Sequence, residues 1–385
     1  MSSKVAVLTV LIFVSFSQIQ GNNKLGIAHK ISVHGNRRLL DDGDNVYFVE
    51  KGFPSWLTRA DKRMFLGKSG IQADAIVAQD GSGMFKKISD AIDAVPENNP
   101  QRYVIYVKRG TYTELVRVPA SKTNIMLVGD GTEDTVITGH RSVADGYEMV
   151  DTATVAVYAN GFFARDMRIE NTAGPQKQQA VALLLSSDMA VVYHCKLMGF
   201  QDTLWMPSER QFFRECDIYG TIDFICGNAA VVFQNCNIVV RKPLNGQQNI
   251  ITSSSRQSPD DTSAIVIQDC KVIAAPELVA ASGSVSTYLG RPWGGYSRTI
   301  FMKSYLGDFI HPDGWFGWPG HGTGFSVYYG EYDNTGPGAQ TSNRAKWPGI
   351  HMMDASEAQQ FTVSEFLHAN DWLPLTGVPF QANLD

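Results

Sequence analysis

The chain reads as all-β, a right-handed parallel β-helix (solenoid), on three observations. Beyond about residue 100 helical periodicity gives way to short β-rich runs such as YVIYVKRGTY, NIMLVGDG and DTVITG. Five later segments, FFARDMRIEN, VVYHCKLMGF, FFRECDIYGT, VFQNCNIVVR and IVIQDCKVIA, share the pattern apolar-x-x-(Asp/Cys)-x-apolar. Their anchors are Asp166, Cys195, Cys216, Cys236 and Cys270, at intervals of 29, 21, 20 and 34. Irregular repeats of this length, made of strands and turns, are rungs of a solenoid with loops of different length. A β-sandwich would need regular Asn-Gly hairpin signals, and these are scarce.

The elements follow in chain order. Lys4 precedes VAVLTVLIFVSF (Val5 to Phe16) and the polar stretch SQIQGNN, so residues 1–21 are expected to be a secretory signal peptide, cut between Ser17 and Gly21. Twelve apolar residues fall short of the roughly 20 that span a bilayer, and no later run is longer, so no membrane association is expected. Residues 22–74, with RRLLDDGD and DKRMFLGKSG, read as a linker or short pro-region without an inhibitor-like helical domain. The domain proper, 75–385, opens with a strand near Ile76 and a turn at Asp80–Gly83. Phe85, Ile88, Ala91, Ile92 and Val95 then recur at helical spacing up to Pro96, which predicts a short N-terminal helix cap. No phosphate-loop lysine follows Gly83. At the far end, Thr362 and Glu365 predict a capping box that starts a helix running through His368. The net charge of −5 argues against long-range attraction to nucleic acid. No Asn-X-Ser/Thr tripeptide occurs, so N-glycosylation is not expected.

In a parallel β-helix, equivalent positions on successive rungs stack about 4.8 Å apart. Asp202 lies seven residues after Cys195 and Asp223 seven after Cys216, which stacks the two carboxylates on one face. Gln179 and Gln201, 22 apart, form a second candidate pair beside them. Two like charges at that spacing cannot both ionise easily, so one group becomes the acid and the other the base. The competing reading is a pair of aspartates that merely close turns. No Gly-x-Ser-x-Gly elbow or His-Glu-x-x-His motif is present, which argues against the usual serine esterase and against a metal site. Close carboxylates also serve retaining glycosidases. The residues alone therefore leave glycoside and ester cleavage open, both on a long polymer lying in a cleft shaped by the loops.

From about Ala75 onward the chain resembles the plant pectin methylesterase (pectinesterase) family. The resemblance rests on GTYTE (110–114), QAVAL (179–183), GFQDTLW (199–205), GTIDFICGNAA (220–230), YLGRPW (288–293), DGWFGW (313–318), EYDNTGPGAQTSNRAKWPG (331–349) and FTVSEFLHANDWLPLTGVPF (361–380). It implies a secreted, cell-wall enzyme that removes methyl groups from methyl-esterified homogalacturonan and needs no metal or organic cofactor. Asp223 would be the nucleophile and Asp202 the proton donor and general base. Gln201 would stabilise the oxyanion, while Gln179, Arg291 and Trp293 would bind substrate, with Arg291 keeping Asp223 ionised. The family also pairs Cys216 with Cys236, although on spacing alone Cys195 competes for Cys216. A monomer is expected, and a proteinaceous pectinesterase inhibitor is a possible partner.

Four positions depart from the family pattern: Met149 replaces a threonine, Leu184 an arginine, Trp205 a tyrosine and Cys226 a phenylalanine. A pectin-binding β-helix without turnover, and a depolymerising enzyme on the same fold, are the alternative functions.

Overall fold

The computed structural model describes residues 72–281, 283–317 and 326–385. The expected signal peptide, and the 22–74 segment up to residue 71, lie outside these residues. The described strands form three parallel sheets of eleven, seven and eight strands, each ordered by successive rungs. A coil results in which the central turns each contribute one strand to each sheet. Among the described residues no helix is long and apolar enough to cross a membrane.

The eleven-stranded sheet shows why its strands are apolar on both faces. Inside the coil, Val192, Phe213, Phe233, Ile267 and Phe301 stack in register, with Phe213 and Phe233 rings 4.6 Å apart. The outer ladder of Val191, Phe212, Val232, Val266 and Ile300 is also buried, because the C-terminal segment packs over it through Phe361, Val363, Leu367, Trp372 and Leu373. A parallel sheet covered on both faces reads as continuous hydrophobic runs rather than as alternation. The helix Ile88–Asp93 turns Ile88, Ala91 and Ile92 into the first rungs, as expected of the cap.

Register corrects the first repeat. Arg165 pairs with Tyr193, which aligns Asp166 with His194 and Met167 with Cys195, so the first interval is 28 and not 29. Asp166, His194, Glu215, Asn235 and Asp269 all adopt left-handed φ values of 53–56° at one corner of the coil. Asp166 matches these corner residues, and the position equivalent to the cysteines is Met167, one residue later.

The next ladder, Met167, Cys195, Cys216, Cys236 and Cys270, points inward and is buried. All five cysteines are free thiols in this structure, and the expected Cys216–Cys236 disulfide is not formed. The Cys216 N–H donates to Cys236 Sγ at 3.4 Å and the Cys236 N–H to Cys270 Sγ at 3.3 Å. Cys236 thus has a neighbour on either side, a competition that spacing did not reveal.

The C-terminal helix Val363–Leu367 is present, but Thr362 does not cap it. The Thr362 hydroxyl donates back to the Gln359 carbonyl at 2.8 Å. The capping box forms one helix earlier, between Asp354 and Glu357 around Ala355–Gln359.

Candidate active site

The site is built on the seven-stranded sheet. Across it, one ladder runs Arg117, Ala156, Leu184, Trp205, Cys226, Ser253 and Arg291. Asp202 enters its strand two residues before Leu204, and Asp223 lies within the strand Ile222–Gly227. Both adopt left-handed backbone, with φ of 59° and 50°. Aspartate tolerates this region better than most residues. The pairing of Ile222–Gly227 with the next strand shifts register between Ile222 and Ile225, at Asp223. Such bulges re-aim a side chain at the place where pairing is interrupted.

The two carboxyls meet as the register requires. The Asp202 N–H donates to the Ile222 carbonyl at 3.0 Å, the ladder bond that sets Asp202 beside Asp223. Gln179 and Gln201 bridge in parallel on the adjoining rungs, and the Ala180 N–H donates to the Gln201 carbonyl at 3.2 Å. Both glutamines are half-buried, and no protein group among the described residues bonds their side-chain amides. Arg291, on the strand Thr287–Pro292, clamps Asp223 with Nε to Oδ1 at 2.9 Å and Nη2 to Oδ2 at 2.5 Å. Trp293 follows two residues later and is 38% exposed.

The electrostatics divide the acids. Asp202 and Asp223 are 6% and 7% exposed. Burial pushes the Asp202 carboxyl well above the usual carboxylate range, and the Asp223 charge pushes it further. Burial also raises Asp223, but Arg291 opposes this through its hydrogen bonds and its charge. Arg291 is expected to keep Asp223 ionised, and its hydrogen bonds and charge act in that direction against the desolvation. Of the pair, Asp202 therefore holds the proton more tightly. Among the described residues no group of three or more His, Cys, Asp or Glu stands close enough to hold a metal.

The profile of the pectinesterase family matches residues 74–370. The chain belongs to the pectinesterase family. It is 49% identical over 358 residues to "Probable pectinesterase/pectinesterase inhibitor 61" of Arabidopsis thaliana, covering 92% of this chain and 60% of that one. The chain spans about three-fifths of the length of the curated pectinesterase relatives it matches. A solved pectin methylesterase from carrot superposes with a TM-score of 0.80 at 46% identity, over 82% of this chain and 99% of that one. A pectin methylesterase solved in complex with a hexasaccharide gives 0.64 at 26% identity, over 78% and 98%.

Against the pectinesterase pattern, the four departures are neighbours in space. Leu184 is buried in a small apolar cluster with Ala153, Ala156 and Val181, and Met149 and Trp205 pack against it. Cys226 is next on the same ladder, its thiol pushed well up by burial and by the charges of Asp202 and Asp223. Leu184, Met149 and Trp205 thus form one apolar floor beside Cys226.

Two supporting groups escaped the sequence reading. Arg241 stacks on the Phe200 ring at 3.8 Å and donates to the Gly199 carbonyl at 3.0 Å, holding the turn that delivers Gln201 and Asp202. No local signal links positions 41 residues apart. Ser253, on the strand Asn249–Ser254, sits between Cys226 and Arg291. Its only trace in sequence is the serine run of ITSSSR. A cavity of about 710 Å³ lies away from the acids, towards the first rungs, and is lined in part by Thr138, His140, Arg141, Tyr147 and Lys177.

Proposed function

We propose that the chain hydrolyses the methyl esters of homogalacturonan, yielding methanol and polymer carboxylates. The observation that carries this reading is the buried acid pair divided by Arg291: one carboxyl that keeps its proton and one held by a cation. The Asp223 carboxylate attacks the ester carbonyl carbon, and charge builds on the carbonyl oxygen beside the Gln201 amide, while the Gln179 amide holds substrate. Neutral amides suit this task because they donate hydrogen bonds without taking the proton that Asp202 needs. Asp202 gives its proton to the departing methoxide, which leaves as methanol, and an anhydride joins Asp223 to the substrate. Asp202, now ionised, takes a proton from water as that water attacks the anhydride. The Asp223 carboxylate is then released and Asp202 is again protonated.

Trp293, exposed beside Arg291, offers a face to a sugar ring. The apolar floor of Met149, Leu184 and Trp205 alters how substrate is held but leaves the acid pair and both amides in place, which favours turnover over mere binding. Export through the expected signal peptide would bring the protein to cell-wall pectin. In an oxidising compartment Cys216–Cys236 is the expected disulfide, and a non-reducing peptide map that yields Cys236–Cys270 instead would overturn it.

The test is methanol release from methylated pectin. Asp223→Asn should abolish it with the circular dichroism spectrum unchanged, and retained turnover would remove Asp223 from the nucleophile role. Unaltered polymer length with growing charge separates this reaction from depolymerisation.

A further inference from the structure

Around the acids, one buried polar group has no part in the proposed chemistry. Ser253 is 1% exposed, and its hydroxyl has no hydrogen-bond partner. Burying an unpaired hydroxyl is unfavourable, and such groups call for an explanation. Ser253 lies in register between Cys226, three residues beyond Asp223, and Arg291, which holds Asp223. The Asp223 carboxyl, clamped by Arg291 on that same ladder, is the charged acceptor beside it, and the nearness of the hydroxyl favours the ionised form of that carboxyl. The other titratable groups felt around the pair are Asp202, the Cys226 thiol and the Tyr329 phenol.

In the resting arrangement Arg291 engages both oxygens of Asp223. Attack on an ester requires one oxygen to turn a lone pair towards the carbonyl carbon, which weakens one of those bonds. A serine hydroxyl is a free rotor and can follow the carboxylate without backbone movement. We propose that Ser253 is a positioning residue for the Asp223 nucleophile, its hydroxyl donating a hydrogen bond to the carboxylate as Arg291 yields one oxygen to the ester. This assignment rests on the pectinesterase reading above.

The experiment measures kcat/KM for methanol release against pH in the wild type, Ser253→Ala and Ser253→Thr. Asp223 must be ionised to attack, so activity is present above its pKa and lost as the pH falls through it. Removing a donor raises that pKa, so the acidic limb of Ser253→Ala should move up by about one pH unit. At pH values where Asp223 is protonated its melting temperature should not fall, because there the hydroxyl has no charged partner to lose. Ser253→Thr keeps the donor and should bring the limb back towards the wild type. An unmoved acidic limb in folded Ser253→Ala overturns the assignment, as does a Ser253→Thr profile equal to that of Ser253→Ala. If Ser253→Thr does not fold, the limb of Ser253→Ala alone decides. Absence of methanol from the folded wild type would instead overturn the functional reading, and this assignment with it.

Discussion

Asp202 and Asp223 carry the same side chain and differ only in what surrounds them. Asp202 has burial and a like charge, and both favour its protonated form. Asp223 has burial opposed by a two-pronged guanidinium. The proposed reaction needs Asp223 ionised and Asp202 protonated. Activity should therefore fall as the pH drops through the Asp223 pKa, and fall again as it rises through the higher Asp202 pKa. A bell-shaped kcat/KM profile that loses its basic limb in Asp202→Asn, at much reduced rate, is the expected result. Arg291→Lys keeps the charge but loses the fork. It should lower kcat/KM by about ten- to a hundredfold, corresponding to about 1.5–3 kcal/mol for a hydrogen bond to a charged group. Steady-state kinetics on folded protein check this.

At the scale of elements, the strand Ile222–Gly227 does two jobs. Its bulge aims Asp223, and its last residue must let the chain pass the neighbouring rung. Gly227 has φ of 125°, and a Cβ there would lie 1.9 Å from the Met206 carbonyl oxygen. Neither backbone can give way without breaking the ladder that aligns Trp205 with Cys226. Gly227→Ala should cost about 2–5 kcal/mol, combining backbone strain with overpacking. Denaturant unfolding measures that loss, and a variant as stable as the wild type would mean that the rung relaxes freely.

Across the whole molecule, stability and activity pull against each other at Asp202. Its folded pKa lies above the unfolded value, so the folded state binds the proton more tightly. Its stabilising contribution is present below the unfolded pKa and is lost as the pH rises through the folded one. Asp202→Asn has no such dependence and should melt higher than the wild type at pH 7, with the gain shrinking towards pH 4. Equal gains at both values would contradict the raised pKa. The coil is closed at its C-terminal rungs by a buried pair: Arg344 donates to Glu331 at 2.8 and 3.0 Å, and Trp315 Nε1 donates to the same carboxylate at 3.1 Å. Glu331 follows Phe301 in the interior stack, so this charge lies where lower rungs place apolar groups.

The β-helix, the cap at Ile88 and the alignment of Asp202 with Asp223 were legible in the sequence, because rung position repeats along a solenoid. A seven-residue offset from each inward cysteine carries through to space because the two turns concerned each add one strand per sheet. The sequence alone also singled out Gln179, Gln201, Arg291 and Trp293, through motifs that resemble one family. Only the tertiary structure decided the true first register at Met167, the two-sided competition for Cys236, and the capping of the Ala355–Gln359 helix. It also decided that Asp223 is buried against a two-pronged Arg291, and that Ser253 lies in register between Cys226 and Arg291. These outcomes depend on which side chains share a dry space across tens of residues, and desolvation and contact are set by that packing rather than by position along the chain.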